Sequence, residues 1–309
     1  MESKKLKKGY TTGVHALFAL QNALDCFLAT KQLSISKTNK MDNDDLDVTK
    51  GCEIVACVSD DLEDLELNEI EHKPYILENL TLYAGKGVGV VTKKGLKPPK
   101  GYPAINPTPL KEMKRVVKDL KTPLFATISV TNGEEIAKNT ANAKVGVLGG
   151  ISILGSSGFV KPISNEAYLD SIRAEVEFIK ANGYKKVIFT LGATSLKEAK
   201  KTYKDEQIVE IGNFIYEGLK LAKDLDIVLY IGVAKALKIA QGFKNTHNRF
   251  GSIDFKELGE WLGIDLKDIV SVKRVCEIYD EKELKKMIKQ KAKMRLKEWL
   301  KKDIEVVIC

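Results

Sequence analysis

Residues 186–241 read KVIFTLGATSLKEAKKTYKDEQIVEIGNFIYEGLKLAKDLDIVLYIGVAKALKIAQ, and the alternation inside this stretch decides the fold. Apolar runs at 186–191, 208–211 and 227–231 are separated by segments of helical spacing at 196–204, 214–224 and 234–241. A strand that is apolar on both sides is covered on both faces, which is the condition of a parallel sheet with helices above and below it. Each run ends in glycine, at Leu191-Gly192, Ile211-Gly212 and Ile231-Gly232. Ligands of open parallel sheets bind beyond the carboxyl ends of the strands, so these glycines are candidate pocket rims; ordinary strand-to-helix turns would use the same residues. Upstream, residues 172–182 supply a helix that leads through Gly183 into the first run. Downstream, 283–302 read as a long basic helix and 304–308 as a closing strand at a sheet edge.

Before about residue 160 the rhythm is different. Ala16, Leu17, Leu20, Ala23, Leu24, Phe27 and Leu28 line one face of a helix over 13–30, with Thr11 or Thr12 available as its cap. The polar run 34–50, SISKTNKMDNDDLDVTK, reads as a loop. Strands are expected at 53–58, 80–83, 88–92 and 124–130, and a helix at 110–120. Between the last two strands lies GLKPPKGYPAINPTP, whose five prolines exclude a central strand and read as neither helix nor sheet. The fold class that follows is α/β: an α+β domain over residues 1–160, then a doubly wound, mostly parallel α/β domain over 161–309. The ligand cleft is expected at the junction.

Composition narrows the function classes. The chain has 309 residues, 44% of them hydrophobic and 30% charged, which is a globular balance with room for two cores. No apolar run approaches the roughly 20 residues that cross a bilayer. The basic start MESKKLKKGYTTG lacks the apolar stretch of a signal peptide. The expected location is cytoplasmic, with no membrane partner. Five scattered cysteines without a C-x-x-C pair and three distant histidines argue against a bound metal. The net charge of +8 fits either solvated lysine-rich faces or a surface that attracts an anion. With 7% aromatic residues and no recognisable RNA- or DNA-binding pattern, nucleic acid is not the expected partner.

Four segments carry the candidate chemistry. Gly9-Tyr10-Thr11-Thr12-Gly13 precedes a helix, where free amides and two hydroxyls suit an anion or simply cap the helix. Residues 84–91, AGKGVGVV, have the look of a phosphate loop but lie between two strands, so the dinucleotide fingerprint is rejected and ATP use is poorly supported. Thr131 to Pro162 holds six glycines, with Asn132, Glu134 and Glu135 at its head and Gly149, Gly150, Ser152 and Gly155 at its centre. Glycine tolerates positive φ and close approach, so the stretch reads either as a backbone wrapped on a ligand or as tight turns between buried strands. Asn245, His247 and Arg249 form a polar cluster after an apolar helix.

Taken in order, GYTTG, GVGVVTKKGL, PAINPTP, NGEEIAKNT, GVLGGISILGSSGFVKPIS and NTHNR resemble the CbiD family, the cobalt-precorrin-5B C1-methyltransferases of anaerobic cobalamin synthesis. The resemblance runs from Gly9 to beyond Arg249. It implies a CbiD-like fold and methyl transfer from S-adenosyl-L-methionine to C-1 of an anionic cobalt-corrinoid, giving cobalt-precorrin-6A. A polycarboxylated macrocycle matches a basic protein, and a sulfonium methyl needs positioning more than an activated nucleophile. On this reading Thr11, Thr12, Gly13, Asn132, Asn245 and Arg249 contact the substrate. Gly149, Gly150, Ser152 and Gly155 line the cofactor seat, and Glu134, Glu135 and His247 orient groups or relay a proton. The sequence departs from the family pattern at His15, at Ser59–Asp64 and at Gly232–Lys235, which leaves a divergent member of altered or lost activity as one alternative and a small-molecule kinase using Gly85–Gly89 as another.

Overall fold

The structure, a computed structural model, describes residues 7–44, 47–160 and 165–309. The chain separates into two compact units, dividing after Asn165. The expected boundary at 160/161 abuts residues 161–164, which lie outside the described residues.

In the first unit, the short strand β1 (Gly9–Tyr10) leads into α1 (Thr12–Thr30) and then β2 (Ser34–Asn39) and β3 (Glu53–Ser59). Next come β4 (Tyr75–Leu77), β5 (Leu80–Ala84), β6 (Gly87–Val88), β7 (Val90–Val91), α2 (Pro107–Val116) and β8 (Leu124–Val130). The unit closes with α3 (Gly133–Ala137), β9 (Val147–Leu148), β10 (Gly150–Ile151) and β11 (Phe159–Val160). Its main sheet has the order β2-β3-β8-β5-β4, with only the β5–β8 pair parallel. The register aligns Ile54 with Val130 and Ala56 with Ile128, while Leu82 aligns with Ala126. One face is therefore an unbroken apolar row. Ala16, Ala19, Leu20, Ala23, Leu24 and Phe27 of α1 close over it in one cluster. Three two-stranded ladders complete the unit: β1 with β11, β6 with β10, and β7 with β9.

Two expectations fail here for identifiable reasons. The segment read as a loop begins with β2, an edge strand whose alternation is inverted: Ser34 is 3% exposed while Ile35 is 58% exposed. The proline-rich segment read as non-helical opens α2 with Pro107 and Pro109. Proline is tolerated in a first helical turn, because the missing amide has no partner there anyway.

The second unit begins with α4 (Asn165–Ala181) and runs β12 (Lys186–Thr190), α5 (Ala193–Lys200), β13 (Ile208–Glu210), α6 (Ile215–Leu221), β14 (Asp226–Ile231) and α7 (Val233–Ala240). It continues with α8 (Phe255–Leu262), α9 (Val272–Ile278), α10 (Glu281–Leu300) and β15 (Glu305–Ile308). The sheet is wholly parallel in the order β13-β12-β14-β15, and the terminal strand lies at its edge. Ile188, Ile208 and Val228 pack with Ala199 and Leu196 of α5 on one face. The alternate residues Phe189, Leu229 and Val306 are also fully buried, so both faces are covered. The chain steps from β12 to one side for β13 and to the other for β14. The switch point therefore lies between the carboxyl ends of β12 and β14.

Candidate functional site

In the first unit the start of α1 is stapled to the loop after β10. Thr11 caps the helix in extended conformation, its hydroxyl accepting from the Val14 amide at 3.4 Å. The Gly13 amide donates to the Leu154 carbonyl at 2.8 Å, and the Leu154 amide donates to the Thr12 hydroxyl at 2.8 Å. A Cβ on Gly155 would lie 2.7 Å from the Thr11 hydroxyl. Thr11, Thr12, Gly13 and Gly155 are thus brought together, as two distant sequence segments. The amides of Gly13 and Val14 are engaged by protein oxygens and the buried Thr12 hydroxyl by Leu154, so protein groups already occupy the donors of this helix start.

The glycines around residues 85–89 and 133–150 form a knot of main chain. A Cβ on Gly133 or on Gly150 would lie 2.1 Å from the Gly87 carbonyl oxygen, and one on Gly87 would lie 2.1 Å from that of Val130. The close approach that glycine permits here is to the protein's own backbone. The Gly85 amide donates to Ile128 and the Gly89 amide to Ile151, so this loop offers no set of free amides for a phosphate, and the kinase alternative loses its basis. Gly149 sits against Asn68, whose buried amide group donates to the carbonyls of Val88 at 3.0 Å and Gly149 at 2.9 Å. Asn68 was invisible as a site residue: nothing near it in sequence marks a bridge to Gly149. The hydroxyl of Ser152 donates to Asn142 at 3.4 Å. Asn132 turns in left-handed conformation onto α3, leaving Glu134 and Glu135 exposed; Glu135 pairs with Lys138 at 2.6 Å.

In the second unit the polar loops gather at the carboxyl edge of the sheet. Thr246 is buried, its amide donating to the Asn213 carbonyl at 3.1 Å and its hydroxyl to the Asn213 side chain at 2.9 Å. The loop that follows β13 is thereby tied to the Asn245–Arg249 segment. Asn245 accepts from the His247 amide at 2.9 Å, and His247 Nδ1 accepts from the Arg249 amide at 3.1 Å. With Nδ1 fixed as acceptor, Nε2 is the outward nitrogen of His247. Arg249 is exposed and its guanidinium stacks on Phe250 at 4.7 Å. Beneath the loop Lys238, 6% exposed, holds its shape from α7. The two lysines of α7, Lys235 and Lys238, stand three residues apart, and in sequence such residues read as solvent-facing. The turns at Gly192 and Gly232 are open, with no atom beyond the adjoining residues within 4 Å of where a Cβ would stand.

The three departures have structural occupations. His15 is buried; its Nε2 accepts from the Met41 amide at 3.2 Å, and burial together with the charge of Lys40 holds its pKa below the ordinary value of 6.5. Lys40 is itself buried and pairs with Asp47. The Ser59 hydroxyl donates to Asp64 at 2.5 Å, and Asp61 caps the short turn between them. Gly232–Lys235 forms the entry to α7. Among the described residues no group of three or more His, Cys, Asp or Glu side chains is placed to hold a metal ion, and no helix is long and apolar enough to cross a membrane.

Fold and loops define the class: a two-unit α/β protein whose parallel sheet carries its polar and basic loops at the carboxyl edge. Comparison with known proteins makes the class specific. The family profile described as CbiD matches residues 29–162. Cobalt-precorrin-5B C(1)-methyltransferase of Methanocaldococcus jannaschii is 31% identical over 93% of this chain and 85% of its own. Those of Fusobacterium nucleatum and Clostridium perfringens are 31% and 37% identical, over 99% and 89% of this chain and 92% and 80% of theirs. A solved CbiD from Archaeoglobus fulgidus aligns at 23% identity over 85% of this chain and 86% of its own, with a TM-score of 0.38. The chain belongs to the CbiD family.

Proposed function

We propose that the protein methylates C-1 of cobalt-precorrin-5B, giving cobalt-precorrin-6A, with S-adenosyl-L-methionine as methyl donor. The observation that carries this reading is the similarity to methyltransferases of that name over nearly the whole chain, at 31–37% identity. The cofactor supplies a methyl already activated by a sulfonium, so the protein's task is to orient and to exclude water. The residues present fit such a group at the carboxyl edge of the second unit, where Gly192 and Gly232 leave clear space. These two turns are assigned to it in place of Gly149 and Gly150, whose Cβ positions are filled by Asn68 and Gly87.

Arg249 and Asn245 hold substrate carboxylates, and the outward Nε2–H of His247 donates a hydrogen bond to the ligand. Within the first unit taken by itself, Thr11, Ser152 and Gly155 are assigned to ligand contact, and the buried Thr12 and Gly13 hold their segment in place. Asn132 and Glu134 provide an exposed polar pair, Glu134 having no ion-pair partner among the described residues. The test is anaerobic incubation with cobalt-precorrin-5B and methyl-labelled S-adenosyl-L-methionine, followed by mass spectrometry. Label on the macrocycle at a rate proportional to protein supports the reading; absence of label from a folded protein rejects it.

A further inference from the structure

Lys235 and Lys238 lie three residues apart on α7, and residues so spaced share one face of a helix. That face is fixed by contacts. Lys238 Nζ donates to the Thr246 carbonyl at 3.2 Å, to Asn248 Oδ1 at 2.8 Å and to the Gly251 carbonyl at 2.9 Å. The loop carrying His247 and Arg249 is therefore hung on this side of the helix, and Lys235 stands one turn nearer the carboxyl edge of the sheet, directly after the open turn at Gly232.

The two ammonium groups share an unusual want. All three donors of Lys238 go to neutral oxygens. Lys235 is half-buried and makes no hydrogen bond or ion pair among the described residues. No carboxylate among the described residues comes within ion-pair distance of either, nor of Arg249. The buried Lys40 of the first unit shows the alternative, because there Asp47 is supplied in the fold. Removing an ammonium from water without a counter-charge is costly. Burial accordingly holds both lysines below their ordinary pKa, and the charge of Lys238 pushes Lys235 further in the same direction.

We propose that Lys235 is a carboxylate-binding residue, and that Lys238 is the fixed second charge beside it, which also locks the loop bearing His247 and Arg249. The counter-ion missing from the fold is brought by the ligand. Two ligands of the reaction proposed above carry carboxylates: the acetate and propionate arms of the corrinoid, and the amino-acid end of S-adenosyl-L-methionine. The inference rests on that reading for the identity of the ligand, but not for the chemistry of the site.

The test uses the full chain as wild type, Lys235→Met, Lys235→Arg and a control, Lys197→Met, on the exposed surface of α5. Each is titrated with uroporphyrin I, an octacarboxylate, by quenching of protein fluorescence, and with S-adenosylhomocysteine by calorimetry. Loss of one charge-assisted hydrogen bond is worth about tenfold or more in affinity. The proposal expects Lys235→Met to weaken one of the two ligands by about that factor, Lys235→Arg to stay within about threefold of wild type, and Lys197→Met to be unaffected. Weakened porphyrin binding assigns the residue to the corrinoid; weakened S-adenosylhomocysteine binding assigns it to the cofactor. In turnover the KM of the same ligand rises while kcat holds within about twofold. Unchanged affinity of Lys235→Met for both ligands, or failure of wild type to bind either, overturns the proposal. Wild type that binds but transfers no methyl rejects the proposed reaction and leaves the binding result to decide the lysine.

Discussion

At Gly87 the backbone has φ +79°, and its carbonyl oxygen fills the place a Cβ would take on two glycines far along the chain. Gly87→Ala must meet both the left-handed backbone penalty and a Cβ 2.1 Å from the Val130 oxygen. A destabilisation of about 3 kcal/mol or more is expected. Gly51 has a similar φ, +69°, but open space around it, so Gly51→Ala should cost only about 1–2 kcal/mol. Denaturant midpoints of the two variants separate crowding from strain. His15 gives a second expectation. Its folded pKa lies below the unfolded value, so between pH 6.5 and the folded pKa the unfolded chain binds more protons. Stability must fall as pH drops through this window, by at most about 1.4 kcal/mol per pH unit. His15→Gln, which keeps an acceptor for the Met41 amide, should flatten the slope between pH 6.5 and 5. A slope unchanged by the substitution would show that other groups carry it. Residues of this kind were half legible. The glycine run announced close approach, but only coordinates show that Gly133 and Gly150 approach Gly87.

Among elements, the most legible were those whose burial matched their composition. Strands β12 and β14 are apolar over residues 187–189 and 227–231 because each is covered twice, and a sheet of that kind needs no alternation to be recognised. The edge strand β2 was illegible because it points Ser34 inward and Ile35 outward. Helix α7 hid Lys238 for the converse reason: a lysine in an amphipathic pattern reads as solvated, and its burial depends on a loop that arrives later in the chain. The closing strand β15 was legible from its apolar run, and it carries an expectation of its own. Ile304 and Val306 are 2% and 0% exposed, and Val306 pairs with Leu229 of β14. Deleting residues 304–309 removes about 4 kcal/mol of apolar burial and bares the edge of β14. A lower thermal midpoint and self-association on gel filtration are expected. An unchanged midpoint would mean that the strand adds nothing to the sheet.

For the whole molecule, the net charge of +8 was ambiguous in sequence, since most lysines on helices are simply solvated. Much of the excess is of that kind: Lys201, Lys285 and Lys286 sit in exposed pairs with nearby acids. What distinguishes Lys235 and Lys238 is burial without an acid beside them, a property of three-dimensional neighbours that no count reports. The change of rhythm near residue 160 is the sequence signal on which a division into two domains is proposed. Each unit has its own buried cluster, one drawn from α1 and the five-stranded sheet, the other from α5 and the parallel sheet. Residues 1–165 and 166–309 expressed separately are expected each to unfold in a single cooperative transition, followed by circular dichroism. A fragment without a transition would show that its core needs the other half of the chain.

The knot at Gly87 has one further consequence, for the order of assembly. Segments near residues 87, 130, 133 and 150 meet there backbone to backbone, with the Asn68 side chain tying Val88 to Gly149 beside them. Partial docking would leave these close backbone contacts unmade. The knot joins positions more than sixty residues apart in sequence, and contacts of that range carry a loop-closure cost before they contribute.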